Sequence, residues 1–226
     1  MNIQPILFIL LLSITFGCDN NAKISACETG GVAASHGQFP LAIQELDQCL
    51  SIAHLDQALK TKVLRARAWA HYNLHNETQA IVDQEEAFKL GSPRNYEALI
   101  NYASYLRSAQ RYQDSLAPLY QALAIDEKNA HVRMMTLYNL GWSLQKLGEY
   151  QQSIDFFTKG IPAQPEFPFV YWKRGLSYHA LGLKEEAKKD FQQFRMLYNK
   201  NNLAIPPSWK QEILDTLSLY KLTLSL

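Results

Sequence analysis

His71 and His75 stand four residues apart, a spacing that sets two imidazoles on one helix face and could hold a metal ion. No third ligand stands at a matching spacing, and the other histidines are scattered, so no metal is expected. The three cysteines, Cys18, Cys27 and Cys49, form no Cys-x-x-Cys pair. The chain has neither a G-x-S-x-G nucleophile elbow nor a phosphate-binding glycine loop. Glu85-Glu86, Glu185-Glu186 and Lys188-Lys189 are the simplest kind of solvated helix face. Lys and Arg number 22 against 21 Asp and Glu, with no basic run, so nothing points to nucleic acid. The expectation is a chain that is not an enzyme and uses no cofactor, with a metal-binding or hydrolytic role as the remote alternative.

The residues that recur at fixed spacing are small and apolar ones, and they define the elements. Small residues fall at Ala42, Ala80, Ser115, Ser153 and Ala187, 34 to 38 residues apart, and Leu46, Gln84, Leu119, Phe157 and Phe191 follow each by four. Small residues at helix crossings let two helices approach, and large ones fill the space beside them. Turns are expected at His36-Gly37, Leu74-His75, Ala109-Gln110, Leu147-Gly148 and Leu181-Gly182. Pro165 and Pro168 separate one helix pair from the next, Pro93 is placed at a first helical position, and Pro118 is expected to kink its helix. Ser208 is a candidate N-cap for a last helix with the stripe Trp209, Ile213, Leu214 and Leu217.

Two stretches carry this repeat most fully. Leu137, Leu140, Gly141, Leu144, Ser153, Phe157 and Pro165, and then Tyr171, Gly175, Tyr178, Ala187 and Phe191, match the pattern W-x2-L-G-x2-Y…A-x3-F…P. The chain thus resembles the tetratricopeptide repeat family. The resemblance implies an all-α fold, a right-handed superhelical solenoid of four to five helix-turn-helix repeats closed by a C-terminal capping helix. The expected organisation is a signal peptide over 1–17, an N-terminal segment with a degenerate first repeat over 18–51, the array over 52–200 and the capping helix over 201–226. The first copy is the most divergent, because Gly30 and Gly31 fall inside its first helix, where each costs about 1 kcal/mol against Ala.

In this family the first helix of each repeat lines a concave groove, and the resemblance puts Arg65, Trp69, Asn101, Arg107, Tyr138, Asn139, Trp142, Trp172, Lys173 and His179 there. Asn101 and Asn139 resemble the asparagines with which some of these grooves hold a peptide backbone; an amide offers both a donor and an acceptor. Arg65 and Asn101 echo part of the clamp that holds chaperone C-termini, but Trp69, Met135 and Asn139 depart from it. The other reading of the aromatics is packing, with Trp142 and Trp172 wedged between neighbouring helices or against the C-terminal helix.

Ile6 to Phe16 is an apolar run of roughly eleven residues, too short for a bilayer span of about 20. Followed by Gly17-Cys18, it resembles a bacterial lipoprotein signal, which implies lipid attachment at Cys18 and a periplasm-facing membrane anchor; Asp19 resembles an inner-membrane retention signal. Thr15 and Gly17 also suit ordinary signal cleavage, which leaves a secreted or periplasmic soluble protein as the alternative. Cys27 and Cys49 then remain as a pair, early on the first helix and late on the second helix of the first repeat. In an oxidising compartment they form a disulfide; otherwise they are two buried thiols. The expected function is an envelope-anchored interaction module that holds a segment of another envelope protein. The alternative is a structural subunit of a stable assembly, of the pilus or outer-membrane biogenesis type.

Overall fold

The computed structural model describes residues 21–125, 129–201, 205 and 207–224. The apolar run Ile6–Phe16 and the proposed lipid site Cys18 lie outside them. Among the described residues the chain is all helical. It comprises α1 (Asn21–Ser35), α2 (Phe39–Leu50), α3 (Gln57–Asn73), α4 (Glu77–Lys89), α5 (Tyr96–Ser108), α6 (Tyr112–Ala124), α7 (Ala130–Lys146), α8 (Tyr150–Gly160), α9 (Pro168–Ala180), α10 (Lys184–Asn201) and α11 (Pro207–Leu219). The chain divides into two compact units between Arg111 and Tyr112, the first ending with α5 and the second beginning with α6.

One turn chemistry ends the odd-numbered helices. Gly37, His75, Gln110, Gly148 and Gly182 all have φ between 58° and 83°, the left-handed conformation that closes a helix. Each is followed by a residue whose N–H reaches back five positions: Gln38 to Ala33 O, Asn76 to His71 O, Arg111 to Leu106 O, Glu149 to Leu144 O and Leu183 to Tyr178 O. Side-chain caps start several helices. Asp56 accepts from Leu59 N, Asn95 from Ala98 N and Asn129 from His131 N, for α3, α5 and α7. Asn95 corrects the expectation for Pro93, which lies in the loop ahead of α5 rather than at its first position. Ser208 is likewise not a cap, since α11 begins at Pro207. Pro118 sits within α6, and the helix continues through it to Ala124.

Hairpins pack by one rule. Within the two units, twelve residues before the small residue of α2, α4, α8 and α10 stands another on the preceding helix: Gly30, Ala68, Gly141 and Gly175. A Cβ on Gly30 would lie 2.7 Å from Leu46, on Gly141 2.7 Å from Phe157, and on Gly175 2.6 Å from Phe191. Gly30 is therefore not a defect of α1 but its contact point with α2, and only Gly31 has open space around it. Cys27 and Cys49 close the α1–α2 hairpin with a disulfide, their Cα atoms 5.0 Å apart.

A polar seam joins successive hairpins. The Arg67 guanidinium donates to Asp83 on its own hairpin (2.7 and 2.8 Å) and to Asp47 on the preceding one (2.6 Å). Arg174 repeats this with Asp190 and with Thr158, and Tyr102 OH donates to Glu85 at 2.6 Å. Burial pushes the Asp190 carboxyl up, opposed by the hydrogen bond from Arg174. Paired buried Ser hydroxyls, Ser115 with Ser143 and Ser153 with Ser177 (both 2.8 Å), join hairpins in the same way in the second unit.

Candidate functional site

Counting from the small residue of each first helix, the side chains two, three and six before it and one after it share one face. On α3 and α5 these are Lys62, Arg65, Ala66, Trp69, Glu97, Ile100, Asn101 and Ser104; on α7 and α9 they are Met135, Tyr138, Asn139, Trp142, Phe169, Trp172, Lys173 and Leu176. The two faces lie in different compact units and differ in what covers them.

On α3 and α5 the face is partly open. Lys62 is exposed, and Arg65, Trp69, Tyr72, Glu97, Asn101 and Arg107 are partly so. Phe39, Trp69, Tyr72 and Tyr105 form a chain of rings with centroids 6.4, 5.7 and 5.0 Å apart. Arg65 lies 3.8 Å from Glu97, which links the two helices. Burial pushes the Glu97 carboxyl up, opposed by the Arg65 charge. Arg107 donates to Ser104 Oγ at 3.3 Å.

On α7 and α9 the face is covered by the chain itself. Trp209, near the start of α11, meets Trp142 edge-on at 5.4 Å and Phe169 at 5.5 Å. The Lys173 ammonium sits 4.5 Å from the Trp209 ring and 5.0 Å from the Trp142 ring, with the residue only 2% exposed. Beyond the other end of α11, Tyr220 bonds His179 Nδ1 at 2.7 Å and stacks edge-on to Phe191. Because Trp209 meets the start of α9 and Tyr220 meets its end, α11 runs parallel to α9. Ile213 and Leu217 are buried between these points.

This corrects four of the expected groove residues. Tyr138, Asn139, Trp172 and Lys173 are buried, and Trp172, at 0% exposure, is core between Phe191 and Phe194. The causes differ: Trp172 is enclosed by α10, Tyr138 packs on Phe157 and Phe167, and Lys173 lies beneath Trp209 of α11. Trp142 is half-buried beneath Trp209, and His179 is exposed but bonded to Tyr220. Arg65, Trp69 and Asn101 occupy the α3–α5 face positions, and Arg107 stands further along α5, bonded to Ser104. Trp209 is the residue that sequence reasoning missed. Its place in the apolar stripe was legible; its reach to Trp142 depends on where α11 lies against α7 and α9, which the stripe does not specify.

His71 and His75 do not converge. His75 occupies the left-handed turn position, while His71 faces Asn76 at 3.5 Å. Burial lowers the His71 pKa. Among the described residues no group of three or more His, Cys, Asp or Glu could hold a metal ion, and no helix is long and apolar enough to cross a membrane.

Helical hairpins with a repeated small-residue contact, a left-handed turn and a parallel terminal helix define a class, the all-α helical-repeat proteins. Residues 95–166 and 169–198 each match a family model of the tetratricopeptide repeat. Over these residues the chain carries tetratricopeptide repeats. Solved structures of MamA share its fold. "MamA MSR-1 C2" aligns with TM-score 0.68 and 19% identity over 80% of this chain and 98% of its own. "Crystal structure of MamA protein" gives 0.66 and 22% over 83% and 100%. "MamA RS-1 ArsTM double mutant" gives 0.69 and 16% over 80% and 97%. No curated protein matches the chain at significant similarity. Arrays of this kind are scaffolds for protein–protein interaction.

Proposed function

We propose that this protein is an envelope-anchored interaction module that binds a segment of another envelope protein on the α3–α5 face. The observation that carries the reading is the contrast between the two faces. Trp69, Asn101, Arg65 and Arg107 remain partly exposed, whereas Trp142 and Phe169 on α7 and α9 are covered by Trp209 of α11. A partly exposed aromatic beside amide and guanidinium donors is the composition of a binding hot spot. The envelope location draws on the apolar run before Cys18, and the Cys27–Cys49 disulfide is consistent with an oxidising compartment. Lipid on Cys18 would confine the module to one membrane surface and raise the effective concentration of partners there.

The test is co-purification of the full chain from the membrane fraction, followed by affinity measurement with the identified partner. Trp69→Ala with Asn101→Ala is expected to weaken binding at least about tenfold while helicity is retained. Unchanged affinity would remove the α3–α5 face as the site. For the anchor, Cys18→Ser is expected to abolish lipid attachment and release the processed protein; an intact mass without lipid on the wild-type chain would refute it.

A further inference from the structure

The polar seams around Arg67 and Arg174 are built to one register but filled differently. Each arginine precedes the small residue of its helix by one, and Asp83 and Asp190 follow Ala80 and Ala187 by three. Asp47 and Thr158 likewise follow Ala42 and Ser153 by five. Arg67 is thus a guanidinium held between carboxylates of α2 and α4, at 2.6 and 2.7 Å. Arg174 meets a carboxylate on α10 but a hydroxyl on α8. The second seam carries its further carboxylates elsewhere: Asp155 on α8 and Glu186 on α10 stand where the first has Gln44 and Gln79. They line an open groove of about 540 Å³, and Tyr178 of α9 with the apolar side chains of Ile154 and Leu183 line it too. Burial pushes the Tyr178 hydroxyl pKa up, Arg174 opposes the shift, and Asp190, Glu186 and Asp155 add to it, which sets both groove carboxylates near the ring.

Both carboxylates are exposed, and among the described residues neither forms an ion pair; Asp155 accepts from the Gln151 amide at 3.3 Å. The one cation lining the groove, Lys159, holds its ammonium 5.4 Å from the Phe156 ring, and Arg174 is committed to Asp190 and Thr158. Lys184, Lys188 and Lys189 of α10 do not line it. Leu183 is 41% exposed. The groove therefore presents carboxylates from two helices, an aromatic ring and an open leucine, without the cation that Arg67 supplies to the first seam. We propose that the groove between α8 and α10 receives an arginine of a partner protein, its guanidinium between Asp155 and Glu186 and against the Tyr178 ring, with an adjoining apolar side chain on Leu183. A planar guanidinium bonds two carboxylates and lies on a ring at once, which a compact ammonium does less well. This surface belongs to the second unit and does not rest on the α3–α5 reading.

The probe is the blocked tripeptide acetyl-Leu-Arg-Leu-amide, titrated into the methyl-labelled full chain and followed by NMR. Saturable shifts are expected at the methyl groups of Ile154 and Leu183. Asp155→Asn with Glu186→Gln should weaken binding at least about tenfold. Both side chains are exposed, so the double variant should keep its helicity and unfolding midpoint. The same peptide with citrulline in place of arginine leaves the protein untouched and removes only the charge; it should bind at least tenfold more weakly, and the lysine peptide should fall between the two. Added salt should weaken the arginine peptide. Trp69→Ala with Asn101→Ala, which tests the α3–α5 face, should leave it unchanged, so the two readings fail separately. No shift at Ile154 or Leu183, equal affinity for the citrulline or the lysine peptide, or indifference to the double variant would overturn the proposal. So would self-association of the full chain that the double variant abolishes, which would make a second copy the occupant.

Discussion

A single indole separates the two faces. Trp142 and Trp69 occupy the same register, and what distinguishes them is Trp209, which turns Trp142 from a groove residue into a packing one. Trp142→Ala removes ring contacts with Trp209 and Tyr138 and the face on which Lys173 rests, so it is expected to destabilise the second unit by about 2–4 kcal/mol, measured by denaturant unfolding. An unchanged midpoint would return Trp142 to the surface. His71 gives a second residue-level expectation. Burial lowers its pKa in the folded chain, below the ordinary value of about 6.5, so the unfolded chain takes up the proton first. Its contribution to stability is complete above that value and is lost as pH falls through it towards the lower folded pKa. The unfolding midpoint should therefore fall between pH 8 and pH 5, and His71→Gln should flatten part of that slope. An identical pH profile in the variant would show that His71 does not contribute.

The helices and their turns were legible where the chemistry is local. The repeat of small residues fixes which helix faces touch, and the same count that finds Gly141 and Gly175 finds Gly30, although a propensity argument alone treats it as a flaw. The two glycines of α1 consequently separate. Gly31→Ala is expected to raise stability by up to about 1 kcal/mol, because a Cβ there meets nothing within 4 Å. Gly30→Ala is expected to lower it, because the new methyl must displace the Leu46 side chain and lies 3.0 Å from the Leu46 backbone nitrogen. The turns offer a matching test. His75 and Gln110 hold the left-handed conformation that glycine holds in the other three hairpins. His75→Gly and Gln110→Gly should each gain about 0.5–1 kcal/mol in thermal or denaturant unfolding. A loss at either position would mean that side-chain contacts in the turn outweigh the backbone strain.

At the scale of the whole molecule, the fold was written in the sequence more completely than the site. Ala42, Ala80, Ser115, Ser153 and Ala187 report contacts within a hairpin and between neighbours, and those contacts are the fold. Whether Lys173 meets solvent is decided instead by Trp209, on a helix more than 30 residues further along the chain, and no spacing encodes its position. The first hairpin is the place where fold and compartment meet. The 22-residue separation closed by Cys27 and Cys49 is worth about 3 kcal/mol through the entropy of the unfolded chain. That contribution exists only where the bond can persist, which links the stability of α1 and α2 to the redox state of the compartment. Protein isolated from cells with its thiols trapped, then unfolded without reductant, is therefore expected to leave Cys27 and Cys49 unlabelled by an alkylating reagent. Added reductant should expose both and lower the unfolding free energy of the first unit by about 3 kcal/mol, and the double variant Cys27→Ala with Cys49→Ala should show the lower value from the outset. Two labelled thiols in the trapped, non-reduced protein would place the chain in a reducing compartment and take the envelope proposal with them.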